Sequence, residues 1–224
     1  MTNECINPIN FEIMNLCTCP AAAALTTIPS AGCPESFGQI QKIAFQRLRK
    51  ADGTKNSFTA SASILLKASW TAKLAANDGS KIVISPYVQA PTSEAGGART
   101  FGGGNETLGG VEMVIGREPS TFSAVIRSVQ QSVIKAMKAL QCEAQADNLG
   151  VYLIDENGAI ECLQDQSTAT TFYPIPIRSL FIGDKAHGGL EAPDSNPIQF
   201  SFLPNYSDDL SIQVPTNFNP LTDL

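Results

Sequence analysis

Four of the six cysteines, Cys5, Cys17, Cys19 and Cys33, crowd into the start of this 224-residue chain, and thiolates at that density could hold a zinc ion. The spacing argues against it. Cys17-Thr18-Cys19 is C-x-C rather than the C-x2-C of a zinc knuckle, no histidine lies nearby, and Cys5 would have to act as the fourth ligand. Cys142 and Cys162 complete the set, and free thiols are expected, because no export signal is read. "MNLCTCPAAAAL" imitates a signal's apolar core, but a signal has a cationic start and the first Lys or Arg here is Lys42. The single histidine, His187 in "GDKAHGGL", would have to be the base of any hydrolase that used Cys33 or a serine as nucleophile. No G-x-S-x-G elbow supports that role, and a loop histidine without chemistry is the simpler expectation. Asp184, Asp194, Asp208 and Asp209 could form a glycosidase-type carboxylate pair, yet each stands among turn and loop residues. Asp155 and Glu156 lack the D-x-[DN]-x-[DN]-G spacing of a calcium loop and are expected to be turn residues.

The remaining candidate is "ARTFGGGNETLGGVEMVIG", residues 98 to 116, which holds six of the chain's 17 glycines. A phosphate cradle needs its glycines to lead into a helix carrying Lys and Ser or Thr, and a dinucleotide fingerprint needs a strand before them and a helix after. Here Gly109-Gly110 leads into Val111-Glu112-Met113-Val114-Ile115, an apolar, β-branched run that predicts a strand. Neither nucleotide motif is satisfied. No catalytic, cofactor-binding or metal-binding residue is therefore expected.

The surrounding elements are mostly strands. Ile43 and Phe45 alternate with Lys42, Ala44 and Gln46 in a strand running toward the Asp52-Gly53 turn, and "KIVISPYV" is a strand that Pro86 restricts to an edge. Ile64, Leu65, Ala68, Trp70, Thr71, Leu74 and Ala75 recur at helical spacing, which predicts a helix near 60–76 with Trp70 as a core anchor. Phe122, Val125, Ile126, Val129, Val133, Ala136, Met137 and Leu140 form one apolar stripe, which predicts a longer helix near 120–141 lying on a sheet. "LGVYLIDENGAIECL" is a hairpin closed by Asp155-Glu156-Asn157-Gly158, and further strands are expected near 171–182, 197–203 and 209–214. The expected fold is mainly β with α (α+β): an antiparallel β-sandwich or barrel-like body over 39–224 with one main flanking helix. Residues 1–38 are expected to be an extended N-terminal arm, and residues 91–110 a Gly-rich loop.

Composition bounds the partners. The hydrophobic fraction of 43% with only 16% charged residues describes a folded chain with a sparsely charged surface, as expected where other chains are contacted extensively. The net charge of −6 argues against a general nucleic-acid binder, and no apolar run is long enough to span a membrane. Residues 42–138 carry 13 cations and six acids, whereas residues 139–224 carry two cations and 12 acids. Either copies attract one another head to tail, or folding mixes the two signs within one subunit.

The Gly-rich segment "GGNETLGGVEMVIG", the stretch "PSTFSAVIRSVQQSVIKAMKAL", the Asp155–Gly158 hairpin and the ending "PNYSDDLSIQVPTNFNP" together resemble the tail tube (major tail) protein family of tailed bacteriophages. The likeness covers residues 98–224 and rests on layout; the cysteine-rich start has no counterpart in it. The resemblance implies a β-sandwich with a flanking helix that self-assembles into hexameric rings stacked as a hollow tube in the phage tail. The homo-oligomer would contact other virion proteins and let DNA pass without binding it, an acidic lumen repelling phosphates. The chain would be made in the host cytoplasm, would need no cofactor, would meet no membrane and would not be an enzyme. Gly102, Gly103, Gly104, Asn105, Gly109 and Gly110 would belong to an assembly loop that folds against a neighbouring subunit. Capsid decoration, head-tail connector and tail terminator are the alternative virion roles, and a small hydrolase using His187 the alternative of another class.

Overall fold

The computed structural model describes Ile28 and residues 37–224. The expected arm of residues 1–38 thus lies almost wholly outside the described residues, as do Cys5, Cys17, Cys19 and Cys33. The chain divides into two compact units, Ser36–Ala95 with Pro119–Leu224, and a second whose described core is Gly96–Glu118.

In the larger unit the elements run β1 (Ile40–Arg47), α1 (Lys67–Ala75), β2 (Ile82–Ile84) and β3 (Gln89–Glu94) before the second unit interrupts. Within that second unit lie β4 (Ala98–Phe101) and β5 (Met113–Arg117). The larger unit resumes with β6 (Thr121–Arg127), α2 (Gln131–Gln145), β7 (Leu149–Asp155), β8 (Ile160–Gln164), β9 (Phe172–Tyr173) and β10 (Ile175–Ile182). It closes with β11 (Ser195–Phe202), β12 (Leu210–Gln213) and the short α3 (Pro220–Asp223). Its strands pair antiparallel throughout in the order β12-β8-β7-β10-β11-β6-β3, with β1 on β7 and β2, and β9 on β8. The body is the expected α+β, sandwich-like antiparallel fold.

β7 organises it. Every residue of Leu149–Asp155 is buried, because the strand has apolar material on both faces and its sequence accordingly runs apolar from Leu149 to Ile154. Leu149, Val151 and Leu153 join one core with Ile43 and Phe45 of β1, while Tyr152 and Ile154 join a second core with Ala44. Gly150 is the close-approach point: a Cβ there would lie 2.7 Å from Leu48 Cδ2 and 2.9 Å from Pro174 Cβ.

The first core is capped by α2 through Ile134, Met137 and Ala144, and filled by Phe122, Phe200 and Phe202. β10 links its two halves. Ile175 and Pro176 pair with β7 and the strand pairs with β11 from Ile177 onward, where a register break between Arg178 and Phe181, with Ser179 at φ 54°, interrupts the ladder. In the second core Phe58, Trp70 and Tyr152 form a three-ring cluster with centroids 4.8 to 5.5 Å apart. Trp70 is fully buried as anticipated, its indole N–H donating to the Ile64 carbonyl at 2.7 Å.

The expected helix over 120–141 is corrected. Residues 121–127 are strand β6, held between β11 and β3, and only Gln131–Gln145 is helical. Phe122 and Ile126 are four residues apart, a spacing that places both on one face of a helix and equally on one face of a strand. Buried Ala124 between them restores the period of two, and Ser128, at φ 54°, separates the elements. The helical face shifts with it: Ile134 is buried and Ala136 exposed. The helix expected near 60–76 is confined to Lys67–Ala75, with a turn before it. The loop expected over 91–110 contains the end of β3 and all of β4.

Candidate functional site

The unit of residues 96–118 is a β-hairpin. β4 pairs with β5 from Ala98–Arg117 to Phe101–Met113, with an irregularity at Arg99/Thr100. The turn is built from glycines: Gly102, Gly103, Gly104, Gly109 and Gly110 all have positive φ. At Gly102 the requirement is strictest, since φ is 88° and a Cβ would fall 2.0 Å from Thr107 Cγ2. Thr107 pins the turn from inside, its hydroxyl accepting from the Gly103 N–H at 3.1 Å and donating to the Val111 carbonyl at 2.7 Å. Asn105 and Glu106 stand exposed at the tip. Nothing in the glycine count pointed to Thr107; its place four residues from both partners was the available signal.

The segment folds as a shaped turn, yet it leaves apolar side chains exposed. Phe101, Val111, Met113, Val114 and Ile115 are each more than half exposed. Five large apolar side chains on one short hairpin are a concentration that isolated surface residues do not give, and such patches mark places where other molecules bind.

The other sequence candidates disperse. His187 is 77% exposed on its side chain and meets Asp194 Oδ1 at 3.2 Å; Asp194 also pairs with Lys185 at 3.4 Å. The hydrogen bond from His187 holds the Asp194 carboxyl below its ordinary range. An acid-oriented histidine is thus present, but Cys33 lies outside the described residues. Asp184 is engaged by Lys138, and Asp208 and Asp209 sit exposed in the turn Tyr206–Asp209. Those four aspartates are not gathered into one cleft. Cys142 is exposed and free; Cys162 is free and buried, its thiol pushed far up by burial, with the Glu161 charge adding to it. Among the described residues no group of three His, Cys, Asp or Glu side chains could hold a metal ion, and no helix is long and apolar enough to cross a membrane.

Of the Asp155-Glu156 pair, Glu156 is an exposed turn residue, but Asp155 is buried. Its carboxylate accepts backbone N–H groups from Asn157 at 2.9 Å, Ala159 at 2.7 Å and Gly38 at 2.9 Å, so it ties the turn to the chain entering β1.

Folding also resolves the charge polarity. Arg47 pairs with Glu143, Lys67 with Asp223 and Lys138 with Asp184, each joining a cation of residues 42–138 to an acid of residues 139–224 within one subunit. Head-to-tail attraction between whole segments therefore has less charge to draw on than the linear sequence suggested.

Among the described residues, the larger unit contains shallow cavities, two of them of similar size. One, about 210 Å³, is charge-balanced, with Arg47 and Lys81 beside Asp78 and Glu143. The other, about 200 Å³, has an apolar floor of Leu48, Leu163, Pro174 and Pro176 and one aromatic wall, Tyr173. Its charged lining residues are Arg49 and Lys55, both cationic, with Lys55 Nζ 5.5 Å from the Tyr173 ring centroid.

Fold and hairpin together define an antiparallel α+β body and, as a separate unit, an apolar, glycine-turned hairpin. No family model and no curated protein matches the chain. Among solved structures, it is similar to a chain in the tail of an empty gene transfer agent particle with C6 symmetry, at 13% identity and TM-score 0.32 over 57% of this chain and 82% of that one. It is similar to a chain in the virion of a native gene transfer agent particle, at 13% identity and TM-score 0.31 over 57% and 85%. A chain in the baseplate of the anti-feeding prophage, six-fold symmetrised, is similar at 7% identity and TM-score 0.34 over 84% and 100%.

Proposed function

We propose that this chain is a structural virion protein of the bacteriophage tail-tube type, which self-assembles into stacked rings through the hairpin of residues 98–117 and does no catalysis. The observation that carries this is the hairpin itself: five exposed apolar side chains on a hairpin whose turn is held in one shape by Thr107. A turn held in one shape loses less conformational entropy on docking than a loose loop would, and its apolar strands supply the driving force. The hairpin begins the segment whose layout resembles the tail tube family. The net charge of −6 suits a channel through which DNA passes without sticking.

Size exclusion with light scattering across protein concentration, and negative-stain imaging of the same fractions, tests this. Rings near six copies or hollow rods are expected. Replacing Val111, Met113 and Ile115 together by Ser leaves the body folded and abolishes them. A wild-type protein that stays monomeric near 23.8 kDa at every concentration, or a triple variant that assembles normally, overturns the assignment.

A further inference from the structure

If the hairpin docks on a neighbour, the neighbour must present a surface that accepts it, and the larger unit offers one of matching chemistry. From Thr100 to Gly116 the hairpin carries two carboxylates, Glu106 and Glu112, and no Lys or Arg. Its turn is therefore an acidic tip flanked by exposed apolar side chains, of which Val111 is the most exposed at 66%. The cavity beside Tyr173 is the complement: an apolar floor, an aromatic wall, and Arg49 and Lys55 as its charged lining. Both cations are exposed, so their charge is available at the opening.

We propose that this cavity receives the hairpin turn of a second copy of the chain. The segment from Val111 to Met113 enters over Leu48, Leu163 and Pro174, and Glu106 and Glu112 meet Arg49 and Lys55. This rests on the tail-tube assignment above and adds the acceptor to it. The cavity beside Arg47 does not compete, because Asp78 and Glu143 offset its Arg47 and Lys81 and would oppose an acidic tip. Complementary charge at the rim fixes register and speeds encounter, while the apolar insertion supplies affinity. Because a ring repeats the contact at every subunit, a modest pairwise interaction suffices.

The test places a photo-crosslinking benzoylphenylalanine at Val111 in the full chain and maps the crosslinked peptides in assembled particles. It is paired with the charge reversals Arg49→Glu/Lys55→Glu and Glu106→Lys/Glu112→Lys. Crosslinks to the segments containing Leu48, Leu163 or Tyr173–Pro176 of another copy are expected. Each double reversal should raise the concentration needed for assembly by about tenfold or more, and the four changes combined should restore it. Crosslinks that map elsewhere, or reversals at Arg49 and Lys55 that assemble like the wild type, overturn this acceptor while leaving the tail-tube assignment standing. Normal assembly by the Val111/Met113/Ile115 serine variant overturns both.

Discussion

Asp155 is the residue whose removal most directly tests how the body is held together. Its carboxylate accepts three backbone N–H groups, from Gly38, Asn157 and Ala159. Hydrogen bonds to a charged acceptor contribute about 1.5–3 kcal/mol each where water cannot replace them. The Ala159 contact is buried and counts in full, whereas the Gly38 and Asn157 contacts are partly buried and count at about half. Asp155→Ala should therefore cost about 3–6 kcal/mol. Asp155→Asn should cost about 1–2 kcal/mol, because its oxygen can keep Asn157 and Ala159 while its amide opposes the Gly38 N–H. The assay is urea unfolding at pH 7, below the assembly concentration, read by the buried Trp70 with hydrogen exchange at Gly38 alongside. Equal costs for the two variants would show that charge, not the number of accepted bonds, is what matters. A cost under about 1 kcal/mol for Asp155→Ala would refute the anchoring role outright.

Glu161 gives a pH test. Burial raises its carboxyl from 4.5 to about 6. The folded state then holds the proton more tightly than the unfolded chain, so this group's contribution is intact below pH 4.5 and is lost as pH rises to about 6. Glu161→Gln should be more stable than the wild type by up to about 2 kcal/mol at pH 7 and equal to it near pH 4, as denaturant midpoints at the two values will show. In the hairpin turn, Gly102→Ala and Gly109→Ala both place a side chain at positive φ, but only the first also meets Thr107, at 2.0 Å, so sedimentation should find assembly weakened more in the first than in the second. Lys42, buried, donates to the carbonyl oxygens of Leu221 at 2.6 Å and Leu224 at 3.3 Å; Lys42→Met should speed hydrogen exchange across residues 218–224 and cost about 1–3 kcal/mol.

Residue type and local period dictate what depends on near neighbours. The Asp155–Gly158 turn, the anchor Trp70, the edge placement of β2 and the strand after Gly110 follow from residue type and period over a few positions. Where two periods fit the same residues, the local pattern does not choose. Phe122 and Ile126 satisfy a helix as well as a strand, and residues 121–127 became β6 because β11 and β3 supply pairing partners on both sides. That Asp155 is an anchor follows from the folded arrangement, since Gly38 lies 117 residues away along the chain. That arrangement alone built the cationic cavity, from residues near 49, 55, 163 and 174, and it alone paired Arg47 with Glu143. Local propensity and periodicity act over one or two turns of chain, whereas burial and charge pairing depend on which distant segments the fold brings together.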